Sequence, residues 1–413
     1  MSATFEGHQL GDPSYRRISV ALFAAGLATF ALLYSLQPLL PELARRFDVS
    51  AGQSALSISV ATLGLGAGLL VAGLVSEVVG RTRLMHLSVG LSSLVGLLCA
   101  LAPTWPVLLT LRGIEGVVLA GLPAVAMAYL REEVHPSSHA RAAGLYIAGT
   151  ALGGMTGRLV AAGLADLAGW RWAVAGVGTI GVTCAALTLV LLPRSRNFVA
   201  APASPRHLGA TSVRVLREPA LLALYGIALT LMGAFVAVYN ATGFRLESAP
   251  YHLSIAAAGL VFAVYPIGSV AAWYAGRLAE RHGRRAVVPW ACAVAIVGIA
   301  LTLAAPLWLV VAGLAVMTAG FFAAHGVASG WVPARAQLGV GGVGQATSLY
   351  LFAYYLGSSI FGGLAGTAWA SGGWPMVAGM AAALVLVALL LALALRRTPS
   401  LAPPTEPNVP PAY

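Results

Sequence analysis

Twelve apolar segments of about 20 residues or more follow one another along this chain, and that is the length a helix needs to cross a bilayer. They lie at roughly 18–40, 53–76, 84–103, 107–130, 139–165, 170–193, 219–244, 253–276, 286–305, 307–331, 343–370 and 374–395. Helix is forced on them, because backbone groups in lipid must hydrogen-bond within their own segment and no alternating barrel pattern occurs. Of all residues, 9% are charged and 59% apolar, whereas a soluble domain carries about 25% charged residues to wet its surface. The 48 glycines fit the same environment, since a missing side chain lets two membrane helices approach closely.

The formal net charge of +11 would suit a nucleic-acid binder, but its placement argues against that class. All 24 basic residues are arginines, set in short clusters between apolar runs, without the single basic face that nucleic acid requires. With the N-terminus in the cytoplasm, the inner segments hold Arg16, Arg17, Arg81, Arg83, Arg131, Arg141, the arginines of 194–217 and 277–285, Arg335, Arg396 and Arg397. The outer loops hold only Arg45, Arg46, Arg171 and Arg245. Cytoplasmic loops carry the excess of basic residues, so both termini are expected on the cytoplasmic side of a bacterial inner membrane. Cys99, Cys184 and Cys292 stand alone in apolar segments, which indicates neither disulfides nor a metal site. A phosphate-binding loop of the GxxxxGK[ST] form needs a lysine, which excludes a nucleotide-driven pump. No catalytic motif or cofactor motif stands out, and an enzyme is not indicated. A receptor or scaffold is the remaining rival class, and ionisable groups within spans argue against it.

The longest internal break, rich in Pro, Ser and Arg, runs from Arg194 to Glu218. It divides the chain into a six-helix bundle over 1–193, a cytoplasmic linker over 194–218 and a second six-helix bundle over 219–397. The proline-rich tail, 398–413, is expected to be disordered. The halves repeat each other. Gly73, Glu77, Gly80, Arg81 and Arg83 lie between spans two and three, and Gly276, Glu280, Gly283 and Arg284 return between spans eight and nine, 203 residues later. Small residues recur every four positions at Gly149, Gly153, Gly157, Ala161 and Ala165, and again at Ser358, Gly362, Gly366 and Ala370. Two matches at nearly one offset indicate duplication, a known plan among transporters.

A glycine, an acid four residues on, and Gly-Arg at seven and eight resemble the loop signature of the major facilitator superfamily. The resemblance covers essentially the whole chain, with Glu77 where Asp is usual and Thr82 where a basic residue is frequent. Arg112 with Gly116 resembles the arginine motif of that family's proton-coupled members. Gly149, Gly153, Gly154, Gly157 and Arg158 resemble the span-five signature of drug/proton antiporters, which has Pro at the place of Gly154 and Gly at that of Arg158. The nearest character is that of small exporters linked to acriflavine sensitivity. The resemblance implies an all-α membrane protein with twelve transmembrane helices in two pseudo-symmetric six-helix bundles. It implies proton-coupled export of a small molecule by alternating access, with spans three, six, nine and twelve facing lipid. Proton-coupled uptake of a sugar, organic acid or other metabolite is the alternative.

Ionisable groups inside a span are costly and usually face a cavity or a partner. Arg112 and Glu115, three apart on one helical face, and Arg158 on the antiparallel neighbour are expected at one depth. They form either a proton-coupling or substrate-charge site, or a static ion cluster that fixes two helices together. Glu77 with Arg81, Arg83 and Arg141 is expected to form a gating network, mirrored by Gly276, Glu280, Gly283 and Arg284; the alternative is charge needed only for insertion. Tyr34, Gln37, Tyr239, Asn240, Tyr265, His325, Tyr354 and Tyr355 are expected around a central cavity for a lipophilic or aromatic substrate. For any one of these rings ordinary packing is the competing account, and His325 alone reads as a hydrogen-bonded core histidine. The partners are thus a small-molecule substrate, protons and the lipid bilayer, with no nucleic acid, and the chain is expected to be a monomer. The distribution of arginine sets the topological test. Alkaline phosphatase fused after Leu208 should be inactive and fused near Tyr251 active, and the reverse pattern would overturn both the span count and the orientation.

Overall fold

The computed structural model describes residues 7–198 and 205–399, which are helical apart from turns and one isolated bridge between His8 and Val134. In the first half the spans are α1 Pro13–Phe47, α2 Ala51–Val79, α3 Arg81–Ala100, α4 Trp105–Glu133 and α6 Trp170–Leu191, with α5 at His139–Ala168. In the second half they are α7 Pro219–Glu247, α8 Ile255–His282, α9 Arg284–Leu301 and α10 Leu307–Leu338. The helical run Val343–Ala394 then leaves helical dihedrals at Gly372 and Gly373, which divides it into α11 (343–371) and α12 (374–394). Among the described residues 10 helices qualify as spans by length and apolar content when that run counts as one. The kink separates an eleventh, and α5, diluted by glycines and Arg158, completes the expected twelve in two six-helix groups.

The duplication is visible in the backbone. α2 ends at Gly80 with φ 91° and ψ 148°, and α8 ends at Gly283 with φ 81° and ψ 148°. Both dihedral pairs lie where glycine alone is unstrained. Each glycine donates its N–H to the last helical turn, Gly80 to the Ser76 carbonyl at 2.9 Å and Gly283 to the Ala279 carbonyl at 3.0 Å. The end of the molecule carrying these two turns is called the turn end below.

Two observations refine the expected segmentation. The connecting segment contains a helix of its own, Pro205–Leu216, whose Thr211 and Val215 are buried and pack at Gly342, just before α11. At the start of the expected tail, the carbonyls of Thr398 and Pro399 accept hydrogen bonds from Arg285 and Arg335 at 2.7 Å each; residues 400–413 lie outside the described residues.

The small-residue ridges are where the helices touch. A methyl at Gly149, Gly153 or Gly157 of α5 would run into the backbone of Phe23, Leu27 or Ala31 of α1. On α11, Gly362 abuts Val236 and Asn240 of α7, while Gly366 lies against Ala51 at the start of α2, in the other half. The opposite faces are bare. Leu87, Leu91, Leu94 and Leu98 on α3 are exposed, as are Leu386, Val387, Leu390 and Leu393 on α12. Exposed apolar stripes at helical spacing are a surface that lipid, not water, covers. The backbone contact at Gly153 gives a sharp test, because overpacking a close contact costs about 1–3 kcal/mol. Gly153→Ala should lower the melting temperature of the purified protein by several degrees, whereas Gly144→Ala, which meets open space, should not lower it.

Candidate functional site

Two spans, α1 and α8, pass through 3₁₀ helix part-way along. α1 runs as α-helix over Pro13–Tyr34, tightens into a 3₁₀ turn at Gln37–Leu39 and resumes at Leu40–Phe47. α8 starts at Ile255–Gly259, passes through 3₁₀ helix at Leu260–Val264 and resumes at Tyr265–His282. Pro38 and Pro266 stand at these breaks, and each removes an N–H that a continuous helix would use. The altered twist turns Tyr34 and Gln37 of α1, and Phe262 and Tyr265 of α8, towards Arg158 of α5.

Arg158 is 2% exposed. Its Nε donates to Gln37 Oε1 at 2.6 Å and its Nη1 to the Gly154 carbonyl at 2.5 Å. The guanidinium carbon lies 4.4, 4.6 and 5.1 Å from the ring centres of Tyr34, Tyr265 and Phe262. Gln37 Nε2 donates in turn to Asn240 Oδ1 at 2.7 Å, and Asn240 Nδ2 to the Gly362 carbonyl at 3.0 Å. One hydrogen-bonded chain thus runs from α5 through α1 to α7 and α11, across both halves. Gln37 and Asn240 stand 203 residues apart, the offset of the duplicated loop, so the bond joins repeat-equivalent positions.

The second half supplies an aromatic wall beside this chain. Tyr239 Oη and Thr318 Oγ1 are 2.7 Å apart, Phe235 stacks on Phe321 with centroids 4.0 Å apart, and His325 Nδ1 lies 3.0 Å from Tyr350 Oη. His325 also sits 4.6 Å from the Tyr354 ring, which meets Tyr355 at 5.1 Å. The residues expected around a cavity are therefore one connected cluster. Tyr34, Gln37 and Tyr265 touch Arg158, Asn240 follows through Gln37, and Tyr239, His325, Tyr354 and Tyr355 lie in the rings beyond. Phe262, Phe321 and Thr318 escaped the sequence reading. Pro38 and Pro266 were the available signal, since they mark where the two spans break.

The expectation that Arg112, Glu115 and Arg158 form one ion cluster is corrected. Arg112 and Glu115 pair at 2.6 Å, at 1% and 0% exposure, while the hydrogen bonds of Arg158 all go elsewhere. The reason lies in the break of α1. Arg112 Nη1 donates to the Leu32 carbonyl at 3.1 Å, Nη2 to the Leu33 carbonyl at 2.5 Å and Nε to the Ser57 carbonyl of α2 at 3.1 Å. Carbonyls in the last turn before a helix end lack i+4 partners; Arg112 serves two of them, sharing the Leu32 carbonyl with Ser35, whose Oγ donates to it at 3.0 Å. Glu115 Oε2 takes Arg112 and lies 3.9 Å from Cys99 Sγ, whereas Oε1 is buried without a hydrogen-bond partner. Gly116 presses on Ala61 of α2, which keeps α4 close enough for the pair to form.

The loop network is narrower than expected. Arg81 pairs with Glu77 at 2.8 Å and with Glu132 at the end of α4 at 3.2 Å, and it also donates to Ser76 Oγ. Arg83 is exposed. Arg141 lies apart, in a groove with Asp12, Arg16 and Arg17, because it sits on α5 beyond the reach of the α2–α3 turn. In the second half Glu280 and Arg284 are exposed, so the two copies of the loop share a backbone and differ in their ion pairs. At the turn end, Arg81 and Arg335 each find partners within their own half, the latter at Glu218, 2.8 Å away. At the other end Arg45 of α1 meets Glu247 of α7 across the halves at 3.0 Å.

Removing one member of the buried chain should expose its dependence on the other. Asn240→Ala leaves Gln37 Nε2 without its partner and removes the Asn240 bond to the Gly362 carbonyl, at a cost of about 1–3 kcal/mol. In a double-mutant cycle read by thermal unfolding, the loss for Gln37→Ala with Asn240→Ala should fall clearly short of the sum of the single losses. Additive losses would show that the 2.7 Å contact contributes nothing.

Comparison with known proteins agrees with this architecture. The family profile described as Major Facilitator Superfamily matches residues 19–249 and 247–412. The inner membrane transport protein YnfM of Escherichia coli (strain K12) is 41% identical over 94% of this chain and 92% of its own length. The MFS-type transporter YybF of Bacillus subtilis (strain 168) is 39% identical over 94% and 95%. Among solved structures, a bacterial homologue of the human lysosomal transporter Spinster, inward-facing and occupied, superposes with a TM-score of 0.70 at 16% identity, covering 94% of this chain and 96% of that one. The chain is a multi-pass membrane transporter and belongs to the major facilitator superfamily.

Proposed function

We propose that this chain is a secondary active transporter that exports a small lipophilic or aromatic molecule across the bacterial inner membrane by alternating access, coupled to protons in the manner of drug/proton antiporters. One observation carries the coupling: Glu115 is fully enclosed, with Arg112 on Oε2 and no donor for Oε1. Burial favours the neutral form of a carboxyl and an adjacent guanidinium favours the ionised form. A small change in the Arg112–Glu115 distance then loads or releases a proton. Arg112 also holds the break of α1, so rocking of α1 changes that distance directly. Arg158, set apart from the pair, serves the substrate side.

Gating follows from where the halves meet. With both termini cytoplasmic, the turn end faces the cytoplasm, and the Arg45–Glu247 pair and the Gln37–Asn240 bond hold the outer side together. In this reading Glu77, Arg81, Arg83, Gly73, Gly80 and their counterparts Gly276, Glu280, Gly283 and Arg284 come together when the inner side closes. The six helices on each side of the 194–218 connection move as units, within a single monomer. The second reading, proton-coupled uptake of a sugar, organic acid or other metabolite, is favoured by Arg158 itself, which stands where the antiporter signature has glycine. Resistance to dyes and antibiotics on overexpression supports export; loss of growth on one nutrient after deletion supports uptake.

The coupling is tested in proteoliposomes with an imposed pH gradient. Glu115→Gln should lose gradient-driven accumulation of a transported dye while keeping its exchange without a gradient. If wild type and Glu115→Gln respond equally to the gradient, Glu115 is a structural partner of Arg112 and coupling lies elsewhere.

A further inference from the structure

Among the described residues three arginines are buried between helices, and they differ in how their charge is met. Arg112 has a carboxylate and places all three of its nitrogens on acceptors. Arg245 caps the α9–α10 connection, with Nη1 on the Thr302 carbonyl and Nη2 on the Ala304 carbonyl and Tyr251 Oη. Arg158 has no carboxylate within ion-pair distance among the described residues, and its Nη2 makes no hydrogen bond to any of them. Its surroundings are three aromatic rings, an amide oxygen and a carbonyl.

A second observation concerns those rings. Tyr34 and Tyr265 are 4% and 8% exposed, yet neither hydroxyl makes a well-formed hydrogen bond; Tyr265 Oη has no partner, and Tyr34 Oη has only the Ser358 hydroxyl beside it. Buried hydroxyls are normally satisfied. Here two hydroxyls without a well-formed bond belong to the very rings that flank an uncompensated guanidinium. An occupant that accepts hydrogen bonds and carries one negative charge would satisfy the Nη2 donors and both hydroxyls together. A guanidinium pairs with a planar carboxylate through two parallel N–H bonds. The rings of Phe262, Phe321, Phe322 and Tyr354 lie beside this point and suit an aromatic or lipophilic body.

We propose that Arg158, with the hydroxyls of Tyr34 and Tyr265, is the receptor for the carboxylate of an amphipathic aromatic acid, so that the transported molecule is an organic anion. The site draws on both halves, Arg158 and Tyr34 from the first and Tyr265 from the second. An anion bound there attaches to the α8 break and to the Gln37–Asn240 chain at once. It therefore sits where relative motion of the halves changes its coordination.

This rests on the reading of the central cluster as the substrate site, but not on proton coupling or direction, so equilibrium binding in detergent without a gradient tests it separately. The probes are benzoate, naphthalene-1-acetate and indole-3-acetate, each beside its neutral amide. Wild-type protein should bind at least one acid about tenfold or more tighter than its amide, a gap of the size one buried ion pair supplies. Arg158→Gln should abolish the preference, Arg158→Lys should keep part of it through a retained point charge, and Gly144→Ala, which meets open space, should bind as the wild type does. Tyr265→Phe should weaken the acid more than the amide. If no acid binds tighter than its amide, or if the preference survives in Arg158→Gln, the proposal is overturned. The wild-type ratio alone decides should the arginine variants fail to fold.

Discussion

Leu32 and Leu33 lie in the last turn of the first regular stretch of α1, buried inside the protein, and Arg112 of α4 donates to both of their carbonyls. In lipid-embedded protein an unsatisfied backbone group costs several kcal/mol; at the break before Gln37 and Pro38, Ser35 shares the Leu32 carbonyl and Arg112 serves the Leu33 carbonyl as well. The rest of the site depends on that arrangement. It fixes α1 against α4 and α2, positions Glu115 under the guanidinium, and leaves Tyr34 and Gln37 turned towards Arg158. A single polar residue thus links the helix break to the groups that carry charge.

The duplicated plan has been put to two different uses. At the turns, Gly80 and Gly283 keep the same dihedrals, because the chain reverses there within one or two residues and only glycine does so without strain. At the centre, Gln37 and Asn240 are repeat equivalents that have become each other's partners. Charge has diverged: the first half holds Arg112, Glu115 and Arg158 inside its spans, and the second half lines its side with Phe235, Tyr239, Tyr265 and Phe321. Charge handling and apolar binding surface are therefore divided between the halves, with the contact between them at the line where they meet.

Much of this was legible in the chain itself. Span positions followed from apolar length, and the repeat followed from glycine and acid spacing. Arg112 and Glu115 were readable as a pair because three residues on a helix place two side chains on one face. Arg158 was readable as buried but not as separate from that pair, since similar depth in two helices does not say which way each side chain turns. The expected link between Arg141 and the Glu77 loop failed for the same reason: both belong to one end of the bundle, yet they stand on different sides of it. The helix Pro205–Leu216 went unread because a short segment rich in proline and arginine carries no spanning signal.

By itself the sequence determined that this chain lives in lipid, that it crosses the bilayer as helices, and that its second half is a copy of its first. Those properties rest on hydrophobicity and backbone hydrogen bonding, which are local and act on every segment alike. Only the tertiary structure decided that Gln37 bonds Asn240, that Arg112 serves the break in α1, and that Arg158 lies among Tyr34, Phe262 and Tyr265 with no acid beside it among the described residues. These contacts join residues up to 203 positions apart, through helices whose rotation and tilt are set by packing against neighbours. The information for that rotation is spread over the small-residue ridges and the two proline breaks, and it acts only when all the helices are in place.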